Sequence, residues 1–319
     1  MNGLPGPEDK NPASRCVLLS GGVGGARMAE GLQRALAPGR LSVLVNTGDD
    51  FELLGLRVCP DLDTVLYTLA DRANPDQGWG LRDETWECMQ ALAELGAPSW
   101  FRLGDRDLAT HLVRTEALKR GRSLTGVMAD LARALGLETR ILPMCDEAVR
   151  TRVRTREGLL DFQDYFVRRG QRDRVLEVEF AGIRQAQATR EVQEALAQAD
   201  LVVLAPSNPF VSIAPILQVP GLRRSLEESA ARTIAVSPIV GGRALKGPAA
   251  AMLESLGHEL SALGVARLYS GVVDEFVLDL EDERLAPAVA SLGMRPRVLP
   301  TVMSGPPERL ALARALIRP

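Results

Sequence analysis

From Cys16 to Leu36 the chain runs without a break from a short apolar stretch into a glycine cluster and then an amphipathic repeat. The stretch Cys16–Ser20 carries no charge, which suits a strand buried on both faces. It ends in Ser20-Gly21-Gly22-Val23-Gly24-Gly25-Ala26-Arg27, where the glycines allow a tight backbone turn. Apolar residues at helical spacing follow over Ala26–Leu36, and Leu41–Asn46 reads as a second buried strand. Strand, glycine turn, helix and strand in this order open a parallel sheet, because a parallel neighbour is reached only through a crossover. Similar runs recur at Leu201–Ala205 and Thr233–Ser237, each after a helical pattern and each stopped by Pro, Gly, Ser or Asn. The ends of such strands are where open α/β sheets bind ligands.

The middle of the chain has a different texture. Asp61–Asp71, Glu84–Leu95, Asp105–Lys119 and Leu124–Leu135 all read as helices, giving a largely helical insert over about 61–136. Short strands and one helix near Phe162–Arg169 are expected between Arg150 and Val178. Residues 1–14, rich in Pro, Gly and polar side chains, read as a loose tail, and 15–319 as a single composite domain. With 46% hydrophobic and 25% charged residues, 319 residues can bury a sizeable core. A net charge of −3 argues against a nucleic-acid-binding surface but leaves room for one anionic small molecule.

Four scattered cysteines without a CxxC pair suggest neither a zinc site nor a disulfide framework, and point to reduced thiols in the cytoplasm. No stretch has the length of a signal peptide core or a membrane span. The only histidines are His111 and His258, so a metal must rest on carboxylates, which favours a hard cation such as Mg2+.

Five motifs carry potential chemistry. The glycine segment is neither a P-loop, since no Gly-Lys-Ser/Thr closes it, nor a full GxGxxG, since Arg27 stands where the third glycine would be. It can still bring backbone N–H groups to a phosphate at a helix N-terminus, or be a plain tight turn. Asn46-Thr47-Gly48-Asp49-Asp50 and Pro60-Asp61-Leu62-Asp63 set two carboxylate pairs near strand ends, able to hold a divalent cation or take a proton from a hydroxyl. Asp61 reads equally well as the N-cap of its own helix, and Asp49 alternatively as the ribose-binding acid of a dinucleotide fold. Arg102 and Arg106, in Trp100–His111, are candidate anion forks or surface charges, and His111 alone reads as a packed helical histidine. Pro206-Ser207-Asn208-Pro209 suits a ribose or phosphate contact or a simple turn. Ser237–Gly242 with Lys246-Gly247-Pro248 offers a second anion-binding wall. No GxSxG occurs, and the scarcity of histidine disfavours a nucleophilic triad.

Taken in order, NTGDD, GLRVCPDLDTVLYTL, GWGLRDETW, WFRLGDRDLATHLVRT, ILPMCDE, FQDYFV, PSNP and SPIVGG with KGP resemble the 2-phospho-L-lactate transferase (CofD) family, including its bacterial phosphoenolpyruvate transferases. The resemblance runs from about Cys16 to near the C-terminus. It implies a Rossmann-like α/β fold, a homodimer, Mg2+, and transfer of a phospho-acid from a guanosine diphospho donor to the ribityl hydroxyl of the deazaflavin Fo. GMP is released, as a step in coenzyme F-420 biosynthesis.

By position in the motifs, Asp63 and Arg102 match the acceptor-binding residues and Asp49 and Asp50 the acidic pair near metal and phosphates. Gly21, Gly22, Gly24 and Gly25, with Ser207 and Asn208, match positions around the guanosine diphosphate. Asp50 or Asp63 would take the hydroxyl proton. The glycine segment ends in Gly-Ala-Arg where some archaeal members have Thr-Pro-Lys, which points to a bacterial-type member. Cys145-Asp146-Glu147 replaces a common Ser-Asp-Asp. Two other classes compete: a non-enzymatic nucleotide-sugar-binding regulator of related fold, and a dinucleotide-dependent oxidoreductase.

Overall fold

The computed structural model describes residues 14–318 except residue 246; the expected tail up to residue 13, and Lys246, lie outside the described residues. Seven strands form one parallel sheet: β1 (Cys16–Ser20), β2 (Leu41–Val45), β3 (Arg140–Pro143), β4 (Leu201–Leu204), β5 (Arg232–Val236), β6 (Glu275–Leu278) and β7 (Arg295–Val298). Their order across the sheet is β7-β6-β5-β4-β1-β2-β3, all pairs parallel. The chain therefore leaves β1 in one direction for β2 and β3, and in the other for β4 to β7. The gap between the ends of β1 and β4 is the switch point at which such sheets bind ligands.

Period-two alternation sorts the strand side chains into two cores. Cys16 and Leu18 of β1, with Val43 and Val45 of β2, face a layer built from α1 (Gly22–Ala35), α2 (Pro60–Leu69), α5 (Leu124–Ala134) and α6 (Pro306–Ile317). Val17 and Leu19, with Leu44, Val202 and Leu204, face the short helices between residues 190 and 269. Both faces are covered, so the central strands carry no exposed side to make polar.

Helix α1 starts at Gly22, four residues before the sequence-based expectation, so most of the glycine segment is the helix's first turn. Glycine carries little helical signal of its own, and here its use is spatial. A Cβ on Gly24 would lie 2.5 Å from the Pro206 carbonyl oxygen, and one on Gly25 would collide with the Ser20 hydroxyl. Gly22, at φ +64°, needs the left-handed region and has open space around it.

Between residues 61 and 136 the chain also forms α3 (Glu87–Glu94) and α4 (Asp105–Lys119). Here α2 and α5 pack on the sheet, whereas α3 and the start of α4 join Phe51–Leu53 and Leu56–Val58, a β-hairpin, in a small separate core around Leu53, Met89 and Leu103. A three-stranded antiparallel sheet (Arg150–Thr155, Gly158–Asp161, Glu177–Ala181) stands apart from the main one.

Candidate active site

A cavity of about 580 Å³ lies over the carboxyl ends of β1, β2, β4, β5 and β7. Its floor is the start of α1. Gly21, Gly22, Gly24, Asp49, Asp63, Arg102, Ser207 and Asn208, all expected site residues, line it together. Gly25 and Asp50 do not. Gly25 lies beneath the turn against Ser20 and Ser207, and Asp50 turns away to pair with Arg57 at 3.0 Å.

Ser207 closes the switch point. Its hydroxyl donates to the Gly21 carbonyl at 2.7 Å and accepts from the Gly21 N–H at 3.3 Å, tying the loop after β4 to the loop after β1. Asn208 spends its carbonyl oxygen on the N–H groups of Phe210 and Val211, capping the turn that follows.

Asp61 occupies the place sequence reasoning gave to its neighbours. Pro60 opens α2 and Cys59 is its N-cap, so Asp61 caps nothing in its own helix. Its Oδ1 instead accepts from the Gly22 N–H at 2.7 Å, and its Oδ2 from Asn46 Nδ2 at 2.9 Å. It thus caps α1 from 39 residues away, where the helix dipole favours a negative charge. With Gly21 N–H on Ser207 and Gly22 N–H on Asp61, the donors left at this helix start are those of Val23 and Gly24.

Asp49 stands beside Asp61, almost fully buried, and its Oδ1 has no hydrogen-bond partner. Burial, then repulsion from Asp61, pushes its pKa well above the carboxylate range. Asp61 rises to about 6 through burial, held back by its bonds to Asn46 and Gly22. Two buried carboxylates that resist ionising together, one with an orphan oxygen, form a site that lacks positive charge. Asp50 also has a buried, unpartnered Oδ1, but Arg57 supplies its counter-charge.

Asp63 is held differently. The buried Arg114 guanidinium grips both its oxygens, donating to Oδ2 at 3.0 Å and to Oδ1. Around this pair Tyr67 donates to Asp107 at 2.7 Å, and His111 Nε2 lies 3.3 Å from Asp107. Asp63 and Tyr67 are one turn apart on α2; Asp107, His111 and Arg114 share one face of α4. Two polar stripes therefore meet, and both reach the cavity wall. Asp63, Asp107 and His111 bring ligand atoms within 4.8 Å of one another, but Arg114 already provides the cation there.

The outer wall is aromatic. Trp79, Trp100 and Phe101 line it, with Phe51 packed behind Phe101 at 4.8 Å between centroids. Arg102 is exposed at the rim, its guanidinium 4.1 Å above the Trp86 ring. Arg27 lines the opposite side and was visible in the sequence only as a break in a glycine pattern.

The chain matches the family model described as 2-phospho-L-lactate transferase CofD over residues 16–291. It is 41% identical over 306 residues to a phosphoenolpyruvate transferase of Streptomyces griseus, covering 94% of this chain and 96% of that one. It is 37% identical over 301 residues to a 2-phospho-L-lactate transferase of Methanosarcina acetivorans, covering 94% and 97%. Among solved structures, protein BH3568 from Bacillus halodurans shares the fold, with a TM-score of 0.64 and 14% identity over 96% of this chain and 99% of that one.

Proposed function

The chain belongs to the 2-phospho-L-lactate transferase (CofD) family, and from that membership we propose that it carries a phospho-acid from a guanosine diphospho donor to the ribityl hydroxyl of the deazaflavin Fo, releasing GMP. It is a transferase of the 2-phospho-L-lactate or phosphoenolpyruvate type. The proposal places this step in the assembly of coenzyme F-420, with phosphoenolpyruvate or 2-phospholactate as the acid.

The observation that supports it is a single chamber with two unlike walls. One is the start of α1, with helix amides for a phosphorylated nucleotide; the other is Trp79, Trp100 and Phe101 for a flat ring. Asp49, Asp61 and Asp63 line the same chamber. In the reaction a bond forms between the acceptor hydroxyl oxygen and the phosphorus of the phospho-acid. The bond from that phosphorus to the bridging oxygen breaks, its electron pair leaves with GMP, and the hydroxyl proton passes to a base. Such chemistry asks the protein mainly for positioning and charge stabilisation.

The donor set fits Mg2+. Asp49 and Asp61 offer only oxygens, one of them buried and unpartnered, at a place short of positive charge. Bound there, the ion would neutralise phosphate oxygens during transfer. The amides of Val23 and Gly24 receive a phosphate oxygen. Asp63, held in place by Arg114, accepts a hydrogen bond from the acceptor's hydroxylated tail, and Arg102 donates to a ring carbonyl at the rim.

The test is to supply Fo, Mg2+ and each guanylylated acid in turn and follow both products by mass spectrometry. GMP should form only when Fo and donor are both present, in step with a phosphodiester of Fo. GMP production independent of Fo, or none with any donor, would overturn the reading.

A further inference from the structure

Helix α1 lies between two others. On one flank α2 brings Asp61 and Asp63; on the other, α6 and the loop before it bring Thr301 and Met303. Arg27 belongs to the second flank. It is half-buried, lines the cavity, and its one described hydrogen bond is a long one, Nη1 to the Met303 carbonyl at 3.4 Å. It has no acidic partner among the described residues: Glu30, one turn further on, is already held by Arg34 at 2.8 Å and by Arg309. Helical side chains lean towards the N-terminus, so Arg27 covers the turn of Val23 and Gly24, whose N–H groups are the uncommitted donors. A half-buried guanidinium and two helix amides thus line the same floor of the cavity.

This arrangement has a direction. Displacement at phosphorus needs the attacking and leaving oxygens on opposite sides. The aromatic wall and Asp63 lie on the α2 flank, so an acceptor seated there attacks from that side. The leaving oxygen then departs towards the α6 flank, where Arg27 is.

Building on the donor reading above, we propose that Arg27 is a catalytic residue that binds the guanosine-bearing phosphate and stabilises the charge it gains as GMP departs. Burial and the nearby Arg309 lower the pKa of Arg27, a strain on its charge that an arriving phosphate relieves. Arginine rather than lysine suits the task, because its planar fork meets two phosphate oxygens at once.

Titration calorimetry with GMP, and turnover with Fo and donor, test this on the full chain with Mg2+. Arg27→Ala should weaken GMP binding at least about tenfold and lower kcat about a hundredfold, with Fo affinity and thermal midpoint unchanged. Arg27→Lys should recover part of the GMP affinity and less of kcat. If Arg27→Ala binds GMP as tightly as the parent, the assignment is overturned, and if only the complete donor binds more weakly, Arg27 reads the three-carbon acid instead. If the unmutated chain itself takes up no GMP, the donor reading falls and the assignment falls with it.

Discussion

Asp49 and Asp61 are kept close together although neither gains from it without a cation. A carboxyl whose folded pKa is raised binds its proton more tightly folded than unfolded, so stability is present at low pH and lost as pH rises towards the folded value. For Asp61 the window runs from its ordinary value of 3.8 up to about 6. A shift of that size corresponds to stability on the order of 3 kcal/mol. Without metal the chain should therefore lose thermal stability between pH 4 and 6 on account of Asp61, and further above that range as Asp49 ionises, and Mg2+ should raise the midpoint more at pH 7.5 than at pH 5. Asp49→Asn, which removes the repulsion, should raise the metal-free midpoint at pH 7.5, abolish the Mg2+ shift and cost at least about a hundredfold in transfer. A Mg2+ shift surviving in that variant, read by calorimetric melting, would remove Asp49 from the metal site. Residue roles were legible only where they were local. The sequence offers Asp61 as a cap for its own helix, and the helix it does cap begins 39 residues earlier.

At the scale of elements, the buried strands could be read directly because both faces of the sheet are covered and an uninterrupted apolar run has few other uses. The start of α1 could not, since four glycines give no helical period. The stripe Asp107, His111, Arg114 on α4 was readable as spacing but not as burial, because the same spacing serves a solvated face equally well. What decides it is α2, which presents Asp63 and Tyr67 to that stripe. The two helices are thus joined by a charged seam. Arg114→Leu would leave the Asp63 carboxylate buried without a counter-charge, and should cost about 3–5 kcal/mol in urea unfolding. Arg114→Leu combined with Asp63→Leu should regain most of that stability while remaining poor in transfer. A single variant as stable as the parent would show the seam to be incidental.

On the proposed assignment, the two substrates meet protein from different parts of the chain. Acceptor and donor affinity should then separate by mutation. Arg102 is a cleaner probe than Asp63, since it is exposed and holds no buried network together. Arg102→Ala and Trp79→Ala should each weaken Fo binding about tenfold, read from Fo fluorescence, and leave GMP affinity within about twofold. Loss of GMP binding in either would place the nucleotide on the aromatic wall.

The wall proposed for the acceptor is drawn mostly from one continuous stretch, residues 60–111, whereas the one proposed for the donor is gathered from the loops after β1, β4, β5 and β7. The two have unequal freedom to diversify. Changes confined to that stretch, sparing α2 and the hold of Asp61 on the Gly22 N–H, could reshape the acceptor wall and leave the sheet's loops untouched. Changing the donor would require coordinated substitutions at four distant places, each tolerable to the others along the way. A lineage built on this plan can vary what it modifies far more readily than what it modifies with.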